Sequence, residues 1–422
     1  MVNKKLENLF KGDKVIWMIF FILCLVSIVE VFSASSFLTY KGDSYWFPVM
    51  KHTFFILLGI GAMICVLNVP CKYFKIVTFP LLTVSVIMLF IVLLFGQSTN
   101  GASRWMGIAG IQFQPSEIAK GALVLAVAQI LSAMQTEKGA DRQAFWWVLV
   151  TSLFIVLPIF FENFSTSVLI SAVVFFMMFI ARVPLSQLGK LLGVVIIGGV
   201  IAVSSIMAFG KTASEKSEGN ATKVEYVSDS AKGQAGNATE KKGGLLHRFD
   251  TWKSRIVKFT SSEDIAPDEY DLDKDAQVAH ANIAIVKSQG IGCGPGNSEE
   301  RDFISQAFSD FIFAIIIEEL GLWGATLVAG LYVIIFWRAG HIARNCANTF
   351  PAYLAMGIGM LLVIQAMFNM LVAVGLAPVT GQPLPLVSKG GTSTIINCVY
   401  IGMLLSISKS AKKRQPIQKA HV

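Results

Sequence analysis

The chain has 422 residues, 54% of them hydrophobic and 15% charged, with a mean hydropathy of +0.62. A soluble core of this size has no use for so many long apolar runs, so the composition excludes a soluble globular protein and marks an integral membrane protein. The net charge of +8 reads as the Lys/Arg excess of cytoplasmic loops rather than as affinity for nucleic acid, and six scattered cysteines without a CxxC indicate neither a disulfide framework nor a zinc site.

The N-terminal segment MVNKKLENLFKGDK is basic, and an apolar run from Val15 to about Ser33 follows it. Ser33-Ala34-Ser35 could end a signal peptide, but the many runs downstream predict an uncleaved first helix. Further runs lie near 52–69, 77–95, 116–134, 145–161, 166–182, 188–209, 311–337, 351–374 and 391–408, which makes ten predicted transmembrane helices. Lys4, Lys5, Lys11 and Lys14, then Lys72 and Lys75, Lys138 and Arg142, Arg182 and Lys190, Arg338 and Arg344, and the basic tail from Lys409 all fall on one side of that arrangement. That side is cytoplasmic. The expected fold is therefore an all-α polytopic membrane protein, a single domain over 1–422. Both termini are cytoplasmic, and a long extracytoplasmic loop, 211–302, joins helices seven and eight.

Between spans three and four, NGASRWMGIAGIQFQPSEIAK reads as a turn-rich segment with Pro115 opening the fourth helix. Arg104 beside Trp105 suits an anionic group at the interface, or equally a snorkelling arginine in an aromatic belt. Glu117 and Lys120, three residues apart, share a helix face and can pair; a structural pair and a substrate role weigh equally here. Glu162 and Asn163 before span six cap a helix or line a cavity. In the long loop, 211–244 is rich in Ser, Gly, Lys and Glu and is predicted to be flexible; it holds two chance-level NAT sequons. The stretch from Leu245 mixes aromatic and basic residues, as membrane-surface segments do. Residues 276–288 are predicted as an amphipathic helix, with Val278, Ala279, Ala281, Ile283, Ile285 and Val286 on one face and Gln277, His280 and Lys287 on the other. GIGCGPGN (290–297) is a plain turn or a set of backbone amides aimed at an anion.

The run DFISQAFSDFIFAIIIEELGLWGA places Asp310 at the start of span eight and Glu318 and Glu319 inside it. A carboxylate in hydrocarbon costs roughly 2.5–3.5 kcal/mol or more. At ~100° per residue Glu318 falls ~80° from Asp310 and Glu319 about opposite, so at least one glutamate is expected to pair with a Lys or Arg elsewhere. Asp310 reads as a helix N-cap or as a functional acid at even weight. Gln365 and Asn369 lie near the outer end of span nine. GLAPVTGQPLPLVSKGGTS then forms a Pro/Gly-rich, non-helical hairpin carrying Lys389, tolerated at membrane depth only where protein or a wet cavity covers it. Cations at an outer pocket suit a lipid with an anionic head group, and an added carboxylate suggests general-base chemistry on it; a transporter cavity fits the same charges.

Three segments, NGASRWMGIAGIQFQPSEIAK, SDFIFAIIIEELGLWG and GLAPVTGQPLPLVSKGGTS, occur in the order found in the SEDS family (shape, elongation, division, sporulation), which the chain resembles over nearly its whole length. The resemblance implies a peptidoglycan glycosyltransferase that polymerises lipid II at the outer face of the cytoplasmic membrane. Asp310 falls on the family's catalytic aspartate. Arg104, Gln114, Ser116, Glu117 and Lys120 match its first motif and Gln277 the polar position of the loop helix. Glu319 matches the second acid of its EE pair; Thr380, Pro385 and Ser388 match the third motif. Lys389 stands where the family has tyrosine, Ile304-Ser305-Gln306 replaces LPE, and ENFST at 162–166 replaces a PDLGT-like element, losing its aspartate. The polar insertion, the GDKVIW start and ENFST look more like the division branch than the elongation branch.

By that resemblance Asp310 takes the proton of the acceptor 4-hydroxyl, and undecaprenyl pyrophosphate leaves with inversion. Arg104, Lys120 or Lys389 would stabilise the pyrophosphate. No cofactor is fixed; a divalent cation is compatible with the same role, and no residue is assigned as its ligand. The implied partners are lipid II, a single-span class B penicillin-binding protein acting as transpeptidase, and other divisome membrane proteins, all at the bacterial inner membrane and its division septum. The rivals are a lipid II flippase and a non-catalytic scaffold for the transpeptidase.

Overall fold

The computed structural model describes residues 10–35, 46–95, 97–99, 102–108, 111–209, 272–304, 308–379 and 381–412. The predicted flexible stretch 211–244, the aromatic-basic stretch after it, both sequons and Thr380 lie outside them.

The chain is mostly helical. In order it forms α1 (Lys14–Ser35), α2 (Trp46–Asn68), α3 (Cys71–Phe95), a three-stranded antiparallel sheet of β1 (Gln97–Thr99), β2 (Ala102–Ile108) and β3 (Ile111–Phe113), and α4 (Pro115–Ala133). A two-stranded ribbon, β4 (Gln135–Thr136) and β5 (Gly139–Ala140), leads to α5 (Arg142–Glu162), α6 (Phe164–Ile180) and α7 (Leu185–Phe209). Then come α8 (Leu272–Lys287), a 3-10 turn at Glu300–Asp302, α9 (Ile312–Arg344), α10 (Thr349–Ala373) and α11 (Thr392–Lys412). Each of the ten apolar runs falls on one of these helices. Among the described residues eight helices are long and apolar enough to cross a membrane, while Phe164–Ile180 and Leu185–Ile201 are shorter apolar helices. The chain is a multi-pass membrane protein.

Two compact units are formed. One comprises 1–188 with 271–422, and the other 189–270, of which the described part is the helical stretch 189–209. In the first unit α4, α10 and α11 are the most buried spans. Helix pairs approach closely where one side chain is absent: a Cβ at Gly59 of α2 would meet Cys398 Sγ at 2.6 Å, and one at Gly402 of α11 would meet the Met63 carbonyl at 2.8 Å. Such small-residue contacts let backbones approach in lipid, where apolar burial alone drives little association.

Two local predictions are corrected. The segment before α4 is a sheet rather than a set of turns. Thr99 pairs with Ala102 and Ile108 with Ile111, both antiparallel, and the sequence Asn100-Gly101 between the first two strands is a strong short-hairpin signal. The amphipathic face of α8 is also different. Ala279, Ala281, Ala284 and Ser288 are buried, whereas Ile283 is 43% and Val286 77% exposed. Close packing of α8 on α9 selects its small residues.

Candidate functional site

Span eight is not one continuous helix. Gly321 (φ 68, ψ −167) breaks α9, a conformation that favours glycine. The break frees the carbonyls of Glu318 and Glu319, since the Leu322 amide turns to Gly290 O at 3.0 Å. Amides of the 290–297 loop take them: Cys293 N bonds Glu318 O at 2.9 Å and Gly294 N bonds Glu319 O at 2.8 Å. The loop then covers both side chains. Glu318 accepts from Ser298 Oγ and from the amides of Glu299 (3.1 Å) and Glu300 (3.3 Å). Glu319 accepts from Ser33 Oγ and from Gly296 N at 3.0 Å, with Arg301 Nη1 at 3.7 Å.

The glycine-rich loop therefore does aim amides at an anion, and the anion is the chain's own glutamate pair. Charge-assisted bonds of this kind offset the desolvation of buried carboxylates. The expectation of an Arg or Lys partner holds for Glu319; Glu318 is satisfied by amides and a hydroxyl instead. Arg301 also donates to Ser33 Oγ (2.7 Å) and Gly296 O (2.8 Å), tying α1 to this loop. At the rim, Lys287 pairs with Glu299, which raises the lysine pKa and lowers the glutamate's. His280 Nδ1 meets Glu300 Oε2 at 2.7 Å while its ring stacks on Phe303.

Asp310 lies two residues before α9, half-buried, in a turn held from two sides. Asn369 Nδ2 of α10 donates to Asp310 O at 2.8 Å, and Ser388 Oγ of the Pro/Gly hairpin donates to Ser309 O at 2.6 Å. Ser309 Oγ donates to Asp310 Oδ1 at 2.9 Å. The N-cap position of α9 is Phe311, not Asp310, and the Phe311 side chain makes no capping hydrogen bond. The simple cap reading of Asp310 is thereby corrected. Lys389 sits at the same turn: its amide bonds Phe308 O at 2.9 Å and its Nζ lies 4.5 Å from the Phe308 ring centroid. Burial, then the charge of Lys51, pushes the Lys389 pKa down.

Behind this turn runs a buried polar chain. Lys120 is fully enclosed, with Nζ 2.7 Å from Glu117 Oε1 and 2.7 Å from Gln365 Oε1. Gln365 Nε2 donates to Pro383 O at 3.1 Å, and Asn369 Nδ2 also holds Gln382 O at 2.8 Å. Gln382 Nε2 donates to Thr166 Oγ1 at 2.7 Å, and Asn163 accepts from Thr166 N at the start of α6. Tyr400 donates to Glu117 O at 2.6 Å.

The structure thus brings Asp310, Ser388, Lys389, Glu117 and Lys120 into one connected region. Glu319 lies on the loop side of it. Ser116 is buried with its hydroxyl unpartnered, Gln114 occupies the uncapped N-cap of α4, and Gln277 is half-buried on α8. Arg104 occupies the backbone position where β2 shifts register against β1, between pairs Ser103–Ser98 and Trp105–Gln97. Its side chain is outside the described residues. Gln382 and Arg301 were not singled out from the sequence; polar side chains flanking the matched motifs are the signal that could have found them. Among the described residues no three His, Cys, Asp or Glu side chains converge on a metal position.

A polytopic helical membrane protein whose polar side chains gather around one acid, Asp310, is the class that fold and site define. The chain belongs to the cell cycle protein family of FtsW, RodA and SpoVE, matching it over residues 13–232 and 244–413. A probable peptidoglycan glycosyltransferase FtsW of Halomonas elongata is 29% identical over 406 residues, covering 93% of this chain and 90% of its own. Its namesake from Methylococcus capsulatus is 30% identical over 399 residues, covering 92% and 88%. In fold, the chain resembles one from a peptidoglycan synthase complex that coordinates polymerization and crosslinking (TM-score 0.70, 20% identity, 95% and 98% covered). It also resembles the rod shape determining protein RodA of Thermus thermophilus (TM-score 0.63, 19% identity, 96% and 98% covered).

Proposed function

We propose that this chain is an inverting peptidoglycan glycosyltransferase. It polymerises lipid II at the outer face of the bacterial cytoplasmic membrane during cell division, with ten membrane-spanning helices and both termini cytoplasmic. Asp310 is the general base. Its carboxylate removes the proton of the acceptor 4-hydroxyl as that oxygen bonds to the anomeric carbon of the lipid-linked donor. The anomeric C–O bond breaks, and its electron pair leaves on the diphosphate. A positioned base of this kind is worth about 10²–10⁴-fold in rate.

The observation that carries the reading is the way the Asp310 turn is held. Two carbonyls of the turn are fixed by Asn369 and Ser388, and the carboxylate accepts from Ser309 Oγ. A rigid backbone with a half-buried acid is the arrangement that proton abstraction needs. Glu117 and Lys120 are positioning residues here, because their enclosed pair supports the Pro/Gly hairpin through Gln365. Names borne by relatives at about 30% identity favour the same reaction and the division role. A class B penicillin-binding protein is the partner that would supply transpeptidation at the septum.

Purified protein, alone and with such a partner, incubated with lipid II and resolved for glycan chains on a gel, tests the reading. Chains made by the wild type are expected. Lipid II crossing vesicles without polymerisation would point to a flippase instead, and neither activity to a scaffold.

A further inference from the structure

Three cations of the sequence are candidates to hold the donor's diphosphate: Arg104, Lys120 and Lys389. Lys120 has no exposed surface, and its ammonium already serves Glu117 and Gln365 at 2.7 Å each. A diphosphate could reach it only by dismantling the α4–α10 contact. Lys389 is half-buried at the turn that carries Asp310, seated on the Phe308 ring.

A second lysine joins it. His52 Nε2 and Ser27 Oγ are 2.7 Å apart, and Ser27 Oγ donates to Val387 O at 2.7 Å, two residues before Lys389. That bridge docks the start of α2 on the Pro/Gly hairpin and brings in Lys51, the exposed neighbour of His52, whose charge acts on Lys389. Among the described residues neither lysine has a carboxylate partner. Glu117 is engaged by Lys120, and Glu318 and Glu319 by the 290–301 loop. Two like charges on the docked α2 start and hairpin, with no described carboxylate paired to either, repel, and a multivalent anion between them reverses that cost.

We infer that Lys51 and Lys389 together bind the diphosphate of the lipid-linked donor and of the carrier that leaves. The inference rests on the glycosyltransferase reading above and assigns its leaving-group site. As the anomeric C–O bond breaks, negative charge grows on the bridging oxygen, and a pre-placed pair of ammonium groups stabilises it. Asp310 takes the proton at the other end of the same displacement, so base and cations share one turn, Phe308 to Asp310, without neutralising each other.

The test uses the full chain in phosphatidylcholine nanodiscs with its transpeptidase partner. Lipid II polymerisation is inhibited with farnesyl diphosphate, with inorganic pyrophosphate, or by exchanging the lipid for phosphatidylglycerol. Lys51→Met and Lys389→Met are each expected to raise the lipid II KM and the farnesyl diphosphate inhibition constant roughly tenfold or more, as loss of a charge-assisted contact does. Lys389→Arg should restore most of the affinity. Lys51 lies on an exposed helix surface, so Lys51→Met carries the test even where Lys389→Met lowers the melting temperature. Unchanged inhibition in Lys51→Met, beside a polymerising wild type, overturns the site and leaves the glycosyltransferase reading standing. A response of these variants to phosphatidylglycerol but not to farnesyl diphosphate also overturns it, since the lysines would then serve bulk phospholipid. Absence of polymerisation in the wild type sinks the underlying reading instead.

Discussion

Asn369 and Asp310 are joined by a hydrogen bond of 2.8 Å from the asparagine Nδ2 to the aspartate carbonyl, and the same Nδ2 lies 2.8 Å from Gln382 O. One side chain in α10 thereby fixes both the turn before α9 and the hairpin after α10. Asn369→Ala removes both bonds and leaves two buried carbonyls to be satisfied otherwise, costing about 1–3 kcal/mol. Displacement of the Asp310 turn should lower turnover by about 10²-fold. Lipid II binding by the purified variant is expected to change little. A variant with normal turnover and a normal melting temperature would refute this role.

The pair Glu117–Lys120 behaves differently. Both residues are enclosed, so removing one partner leaves a buried charge and costs about 3–5 kcal/mol, while replacing both with apolar groups costs much less. Lys120→Met and Glu117→Gln should each lower the melting temperature strongly, and Glu117→Met/Lys120→Met should recover much of the loss. Additive losses in that double-mutant cycle would contradict a buried structural pair.

Gly321 and Gly292 meet where the loop docks on α9. A Cβ at Gly321 would lie 2.5 Å from the Ile291 carbonyl carbon, and φ at Gly321 is +68. Gly321→Ala should cost about 1–3 kcal/mol in backbone strain and loosen the loop. Cys293 reports on this. Its thiol pKa is raised by loss of water on its inner side and by the nearby charges of Glu318 and Glu319. A raised pKa means less thiolate at a given pH, so an impermeant maleimide should label Cys293 more slowly than an ordinary thiol at neutral pH. The gap should close above the raised pKa. Gly321→Ala should speed labelling near neutrality. Labelling is expected in intact spheroplasts; reaction confined to inverted vesicles would overturn the extracytoplasmic placement of this loop.

The helices were legible because each apolar run is long and bounded by Lys, Arg, Pro or Gly. Contacts between distant segments were not. Nothing local to Lys120 announces Gln365, 245 residues away, and nothing near Glu318 announces the amides of 299 and 300. The break at Gly321 was also missed, since one glycine in an apolar run reads as a tolerated helix residue; its φ is set by the loop that packs there. The antiparallel pairing of β1 with β2 carried a usable sequence signal, Asn100-Gly101, that composition alone reads as turns. On α8 the sequence groups Ile283 and Val286 with Ala279 and Ala281 on one broad face, whereas the tight contact with α9 buries the alanines and leaves the larger pair exposed.

Asp310→Asn separates chemistry from structure. The Asp310 carbonyl bond to Asn369 belongs to the backbone and survives the substitution, and an amide oxygen can still accept from Ser309 Oγ. The N-cap position of α9 is Phe311, so the substitution does not change the N-cap residue. Fold, melting temperature and lipid II binding are therefore expected to stay near wild type. Only the capacity to take a proton disappears, and polymerisation should fall by about 10²–10⁴-fold. Alanine is the poorer probe, because it also strips the Ser309 contact. Turnover and lipid II binding should be measured on the same preparation with the transpeptidase partner bound. Normal binding with lost turnover supports the base, and turnover of Asp310→Asn close to wild type removes Asp310 from the mechanism.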